Sequence, residues 1–420
     1  MFSAAELSVE GGTTASVAQG AFDSGSHAST TPSREISGAT VLVTDEHYKH
    51  SLGIVRHLGK MGARVCVVAS TKDALVCSSR YCERVFLSRG SSVDALVETV
   101  LEVVQENHFD VVIPVSYSMT RALARKREQL LVHSHLELAS SDAIERAANK
   151  AEMVELARSV GVPAPKSFVP SALSELLIRS RELQFPVVVK PRKESPGHPP
   201  VRYAKNGEEL RAFFSDKNGS EPFSDADPPL IQEFIPGYGC GFFATYQDGQ
   251  CKRTFMHRRI REYPASGGSS TCAESFYDPQ LEASGKRLLN ELQWHGVAMV
   301  EFRRDSRDGS FKLIEINPKF WGSLDLALAA GADFPGDLCR MALGHTLTST
   351  TEYQQNLRYH WPFATSGELF HLWNRPSSLF QCAFDLINPG VKSNVWLRDF
   401  GPNHREILSL GRTLFGRKRR

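Results

Sequence analysis

The apolar positions fall into a strand-and-helix alternation that begins near Thr40. The run ATVLVT is short and unbroken, Ser51 to Met61 carries apolar residues at helical spacing, and ARVCVVAS is a second unbroken run. The same rhythm continues through a helical pattern at Val93 to Asn107, an apolar run at Phe109 to Val115 and a further helix from Met119 to Val132. Continuous apolar strands separated by helices of this length predict a parallel sheet covered on both faces, with its carboxyl edge as the place for a ligand. The loop after the first strand reads TDEHYKHS and contains no GxGxxG, so a dinucleotide such as NAD is not expected.

From about Asp142 the pattern changes. Ala143 to Ser159 predicts one helix, closed by Gly161 and VPAP, and Phe185 to Pro191 (FPVVVKP) predicts a strand ending in Lys190. Arg192 to Pro200 reads as a loop. The segment PPLIQEFIPGYGCGFFATYQDGQ predicts a strand, a Gly/Pro turn and a second strand, where Gly237, Gly239 and Gly241 either let a ligand approach the backbone or simply turn the chain. Beyond Glu352, the aromatic-rich stretches WPF and HLW, the apolar run Phe380 to Leu386 and VWLRDFGP suggest helices and turns packed on the main body. Residues 1–36 are rich in Ser, Thr, Ala and Gly and are expected to be a disordered leader.

Composition narrows the class. The chain has 420 residues, 41% of them apolar, which is enough for two or three domains with substantial cores. A net charge of +2 carries no nucleic-acid signal, although the last ten residues hold five basic side chains and no acidic one. The eight cysteines follow neither zinc nor disulfide spacing, and no stretch is apolar enough to span a membrane, so a cytoplasmic protein without membrane or nucleic-acid partners is expected.

The candidate chemistry lies between Val297 and Ser323. Apolar, β-rich runs flank the turn sequence DSRDG, which predicts a hairpin; with the turn centred on Asp308, Glu301 stands opposite Glu315. Glu315 and Asn317 then share a face. Opposed carboxylates repel, so a divalent cation between them is one explanation and an exposed hairpin with solvated acids is the other. Oxygen ligands favour Mg²⁺ or Mn²⁺, and Mg²⁺ commonly combines one or two carboxylates with nucleotide phosphates. Lys190, ending an apolar strand, either meets an anion such as phosphate or snorkels to solvent. The basic cluster His257, Arg258, Arg259 and Arg261, leading into Gly267, Gly268 and Ser269, is a candidate carboxylate holder, with a solvated basic strand as the rival.

Taken in order, FPVVVKP, QEFI, VEF and EIN resemble the ATP-grasp superfamily over roughly residues 40 to 345. HRRIREYPASGGSS, WHGVAMVEF and EINPKFWGSLDLALAAGADFP look especially like its carboxylate–amine ligase-like members, related to carbamoyl-phosphate synthetase and biotin carboxylase. The resemblance implies a mixed α/β and α+β chain: a Rossmann-like pre-ATP-grasp domain over 37–140, a two-subdomain ATP-grasp fold over 141–350, and a C-terminal helical extension with a basic tail over 351–420.

It also implies roles. Lys150 and Lys190 would contact nucleotide phosphates, and Gln232, Glu233, Phe234 and Ile235 would form the hinge that reads adenine. Glu301, Glu315 and Asn317 would hold magnesium, while Arg258, Arg259 and Lys319 would act on the substrate and the transferred phosphate. The implied reaction uses ATP and Mg²⁺ (or Mn²⁺) to convert a small carboxylate into an acyl phosphate that an amine attacks, with Arg192 to Pro200 as a lid and a homodimer as the family's habit. Two departures stand out: Lys319 replaces a usual arginine, and Ala273 stands where close relatives often carry one. A phosphotransferase and a non-catalytic ATP-binding module therefore remain as alternatives.

Overall fold

The computed structural model describes residues 35–193, 201–214, 224, 227–263, 268–363 and 376–416. The first unit is a four-stranded parallel sheet of β1 (Thr40–Val43), β2 (Arg64–Ala69), β3 (Cys82–Leu87) and β4 (Val111–Ile113), ordered β3-β2-β1-β4. Its apolar strands serve two cores at once. Val41, Val43, Val65 and Val67 join the cluster containing Leu52, Ile54, Val55 and Leu58 of helix Lys49–Lys60, whereas Leu42, Cys66, Val68 and Val112 join Val97, Val100 and Val104 of helix Val93–Glu106. The expected leader, 1–36, ends too late by two residues: Ile36 is fully buried, and Glu35 meets Arg340 at 2.8 Å. Residues 1–34 lie outside the described residues.

A small antiparallel sheet follows, made of β5 (Ser167–Phe168), β6 (Val187–Lys190), β7 (Arg202–Ala204) and β8 (Leu230–Glu233) in the order β5-β8-β6-β7. Leu176, Val187, Val189, Leu210 and Ile231 give it a core of its own. The third sheet is larger. It comprises β9 (Gly237–Gln247), β10 (Gln250–Tyr263), β11 (Ser269–Ser275), β12 (Gly296–Asp305), β13 (Phe311–Asn317), β14 (Arg358–His360) and β15 (Val391–Ser393), ordered β13-β12-β9-β10-β11-β14-β15. One face of this sheet and one face of the parallel sheet contribute to each of the two large apolar cores.

Two expectations change here. The single helix expected over Ala143–Ser159 is two, Ser141–Ala148 and Lys150–Ser159, because Asn149 leaves helical geometry and caps the second helix through the backbone N–H of Ala151. The region after Glu352 is not only helices and turns, since β14 and β15 extend the large sheet beside helices Pro376–Ile387 and Phe400–Gly416. A buried ion pair, Arg56 Nε to Asp399 Oδ2 at 2.7 Å, ties this region to the first helix.

Candidate active site

The register expected for the hairpin is the one observed: Glu301 pairs with Glu315, and Met299 with Asn317. Both carboxylates and Asn317 face a cavity of about 610 Å³ bounded by the large and small sheets. A β-bulge follows at once, because Phe302 pairs with Leu313 and skips Ile314. The bulge turns Leu313 into the apolar core opposite the acids.

Two cations keep the opposed acids apart in charge. Lys150, placed by the Asn149 cap at the start of its helix, lies 3.4 Å from Glu315, and Arg259 meets Glu301 at 2.7 Å. Burial pushes the Glu301 carboxyl up, opposed by Arg259 and reinforced by Glu315. Burial acts on Glu315 in the same sense, but Lys150 and Lys190 outweigh it and hold that carboxyl below its usual range. Asn317 Nδ2 donates to Glu315 Oε1 at 3.0 Å and so fixes the carboxylate rotamer. These residues supply an oxygen-only donor set with two carboxylates, suited to a cation whose other ligands are phosphate and water. Among the described residues no cluster of three or more His, Cys, Asp or Glu forms a more complete metal cage.

Lys190 is 5% exposed, and its Nζ donates to the carbonyl of Ile314, the skipped residue, at 3.4 Å. Burial lowers its pKa to about 8, with Glu315 acting against that shift. A buried ammonium so poorly solvated is prepared for an anion. Gln232, Glu233, Phe234 and Ile235 line the same cavity from the small sheet, as does Lys319 from beyond β13. Arg259 also lines it, with its charge already shared between Glu301 and Glu262.

Arg258 is a correction. Strand alternation turns it away from the cavity, where it pairs with Glu274 at 2.6 Å. The glycines are another. Gly237, Gly239 and Gly241 do not line the cavity; an added Cβ would strike the carbonyl of Arg304, the side chain of Arg259 and the ring of Phe243 respectively, so they serve packing within the protein. Ala273 lies fully buried in an apolar cluster with Phe243 and Phe255. The lid expected at Arg192 to Pro200 lies outside the described residues beyond Lys193, and so does Gly267.

Arg303 and Ser323, which line the cavity, had no role assigned from sequence. Arg303 sits two positions after Glu301 on the same face, and its Nε donates to the carbonyl of Ile235 at 3.0 Å; strand periodicity from Glu301 was the available signal. Ser323 Oγ lies 2.6 Å from His257 Nε2, and His257 is wedged against Phe243. Burial, aided by Arg259, lowers the His257 pKa to about 3, so its ring is neutral.

Residues 229–363, which carry β8 to β14 and the acid pair, match a family model described as ATP-grasp in the biosynthetic pathway with Ter operon. Over these residues the chain is similar to the ATP-grasp superfamily. The carbamoyl phosphate synthase large chain of Vibrio cholerae is 25% identical over 218 residues, 50% of this chain and 20% of that one. The chain thus spans about a fifth of the length of that relative. Among solved structures, the biotin carboxylase domain of Hydrogenobacter thermophilus 2-oxoglutarate carboxylase, in complex with MgADP and bicarbonate, superposes with a TM-score of 0.62 at 16% identity, covering 76% of this chain and 73% of that one. N5-carboxyaminoimidazole synthetase of Staphylococcus aureus, complexed with ADP, gives 0.58 at 15% identity, with 77% and 81% covered. These likenesses bear on the fold, which is the mixed α/β one expected: a parallel-sheet domain followed by the two-sheet ATP-grasp body.

Proposed function

We propose that this chain is an ATP- and Mg²⁺-dependent ligase that activates a small carboxylate as an acyl phosphate for attack by an amine. The observation that carries the reading is the opposed pair Glu301 and Glu315, set in one cavity with Lys150, Lys190, Lys319 and the hinge segment Gln232 to Ile235. In this reading the backbone of Glu233 to Ile235 receives the adenine edge. Lys150 and Lys190 neutralise phosphate oxygens, and Glu301, Glu315 and Asn317 hold magnesium, which offsets charge on the transferring phosphoryl group. Lys319 stands beside the reacting phosphate as a point charge without the planar fork of an arginine.

The attacking carboxylate oxygen forms a bond to the γ-phosphorus as the bond to the bridging oxygen of ADP breaks. The amine nitrogen then adds to the acyl carbon, phosphate leaves, and the proton lost from nitrogen passes to the departing phosphate or to water. Arg259 cannot serve as a free carboxylate clamp while it bridges Glu301 and Glu262, so we assign it to fixing Glu301. Eight free cysteines suit a reducing, cytoplasmic setting, and among the described residues no helix is long and apolar enough to cross a membrane. The complexes of the structural neighbours with MgADP and ADP, and the dimeric form of one of them, support the nucleotide assignment and make a homodimer part of the same proposal.

The test is ADP release from ATP and Mg²⁺ with pools of small acids and amines, using Glu315→Ala as the control. Turnover that requires both an acid and an amine and disappears in the control is expected. Magnesium-dependent ATP binding without turnover across the pools would overturn the ligase reading.

A further inference from the structure

The cavity does not end at Lys319. Beyond it lie Ser269, Ser270 and Gly322, and behind that wall stands the first turn of helix Lys49–Lys60 from the parallel-sheet domain, whose Lys49 touches Ser270 and lies near Gly322. Lys49 Nζ donates to the carbonyl of Ser270 at 3.3 Å. Lys49 stands directly against this wall: a Cβ added at Gly322 would make ordinary contacts, 3.5 Å from Lys49 Cε and 3.6 Å from Ser269 Oγ. The next residue, His50, is 7% exposed, and its Nδ1 is buried with no hydrogen-bond partner among the described residues. The helix start itself has no side-chain cap and no acidic residue in its first turn, which leaves its N–H dipoles uncompensated.

The charges here are not balanced as they are around Glu301 and Glu315. Lys319 and Lys49 both press on His50, driving its pKa well below normal after burial has done most of the work. Among the described residues, neither lysine has a carboxylate within ion-pairing distance; Glu315 acts on Lys319, and Asp325 and Glu406 on Lys49, only from further off, and Asp325 is already occupied by Trp361 Nε1 at 2.9 Å. Trp361 carries the Lys49 ammonium on its ring at 4.4 Å. The loop presenting this group is held rigidly. Asp45 Oδ2 accepts from the backbone N–H groups of Val115 and Ser116, Ser51 Oγ donates to the Asp45 carbonyl, and Glu46 accepts from Ser70. Concentrated, uncompensated positive charge on a fixed loop is preorganised for an anion.

We propose that Lys49 and His50, next to Lys319, form an anion subsite at the end of the cavity, which receives a second negatively charged group, a carboxylate or a phosphate, on the acid to be activated. The inference rests on the ligase reading for the identity of that molecule as the substrate. It narrows the substrate class to acids carrying two anionic groups, one reacting and one anchored by the first domain.

The subsite can be tested without knowing the substrate. Full-length protein labelled with ¹³C at histidine Cε1 is titrated with succinate, inorganic phosphate and acetate, and the His50 resonance is assigned with His50→Gln. A saturable shift of that resonance with succinate or phosphate, at least tenfold weaker with acetate, is expected, and which dianion binds better identifies the anchored group. Lys49→Met should weaken binding at least tenfold, and Lys49→Arg should restore most of it. MgADP affinity, measured separately by calorimetry, should change less than twofold in either variant. A His50 resonance that none of the anions moves, or equal binding by Lys49→Met, overturns the subsite. Failure of MgADP to bind while the His50 shift persists overturns the ligase reading and leaves the subsite standing.

Discussion

Arg259 on β10 and Glu301 on β12 are joined at 2.7 Å although β9 runs between their strands. The guanidinium crosses the central strand over Gly239, where an added Cβ would come within 3.0 Å of Arg259 Cδ and 3.3 Å of its Nη1. The glycine is therefore a condition of the ion pair. Gly239→Val should push Arg259 aside, leave Glu301 buried with Glu315 opposite and without its paired cation, and favour its protonation. A loss of roughly tenfold or more in Mg²⁺-dependent ADP affinity is expected, equivalent to about 1.4 kcal/mol. Calorimetry with and without Mg²⁺ reads it; unchanged affinity in a folded variant would show that Arg259 does not organise the metal site.

Adjacent arginines on one strand should behave in opposite ways. Arg259 is buried between two acids, so Arg259→Ala leaves uncompensated charge and should cost about 3–5 kcal/mol in stability, besides abolishing nucleotide binding. Arg258 is partly exposed and pairs with Glu274 on the other face, so Arg258→Ala should cost about 1 kcal/mol or less and leave ADP binding within twofold. Denaturant midpoints and ADP titrations of the two variants separate the faces; equal losses would contradict the alternation.

How far the site could be read from sequence followed the range of its interactions. The opposition of Glu301 and Glu315 was legible because one tight turn fixes a hairpin register over a few residues. Lys190 was legible in part as a lysine ending an apolar strand, whereas Lys150 and the hinge residues were brought to this cavity only through the order of motifs, since no local rule joins them to β13. Arg258 failed because residue type was read without strand parity, although parity was available. The break at Asn149 was written in the sequence as a capping residue but hidden by helical spacing on both sides. Lys49 and His50 were out of reach, because they meet Ser270 and Lys319 across more than 200 residues, and only the tertiary packing of two domains brings them together.

Glu315 should carry the metal dependence. It accepts from Asn317, sits below its ordinary pKa and faces Lys150, so Glu315→Gln keeps the volume and the Asn317 contact while removing charge. The ratio of ADP affinities with and without Mg²⁺ should collapse towards one, and any turnover should fall by a factor of about 100 or more, the scale for removing one preorganised electrostatic contact to a transition state. Mn²⁺ binding, followed by its paramagnetic effect on water protons in the presence of ADP, gives a second readout. Full Mg²⁺ dependence in Glu315→Gln would remove Glu315 from the ligand set.

His257 gives the protein an acid-sensitive element. Its folded-state pKa of about 3 lies below the ordinary 6.5, so between these values the unfolded chain binds a proton that the folded chain does not. Stability from this residue is complete above pH 6.5 and declines as pH falls towards 3, with a slope of about 1.4 kcal/mol per pH unit. His50, also held neutral by burial and by the neighbouring lysines, adds to the trend in the same direction. His257→Asn should therefore be less stable than the parent at pH 7.5, where the contact to Ser323 is lost, yet lose stability more slowly on acidification. By pH 5 the gap should have narrowed by roughly 2 kcal/mol. Urea midpoints at half-unit steps from pH 7.5 to 5 measure the slope directly. Parallel profiles for parent and variant would mean that burial does not hold the ring's pKa below its ordinary value in the folded protein.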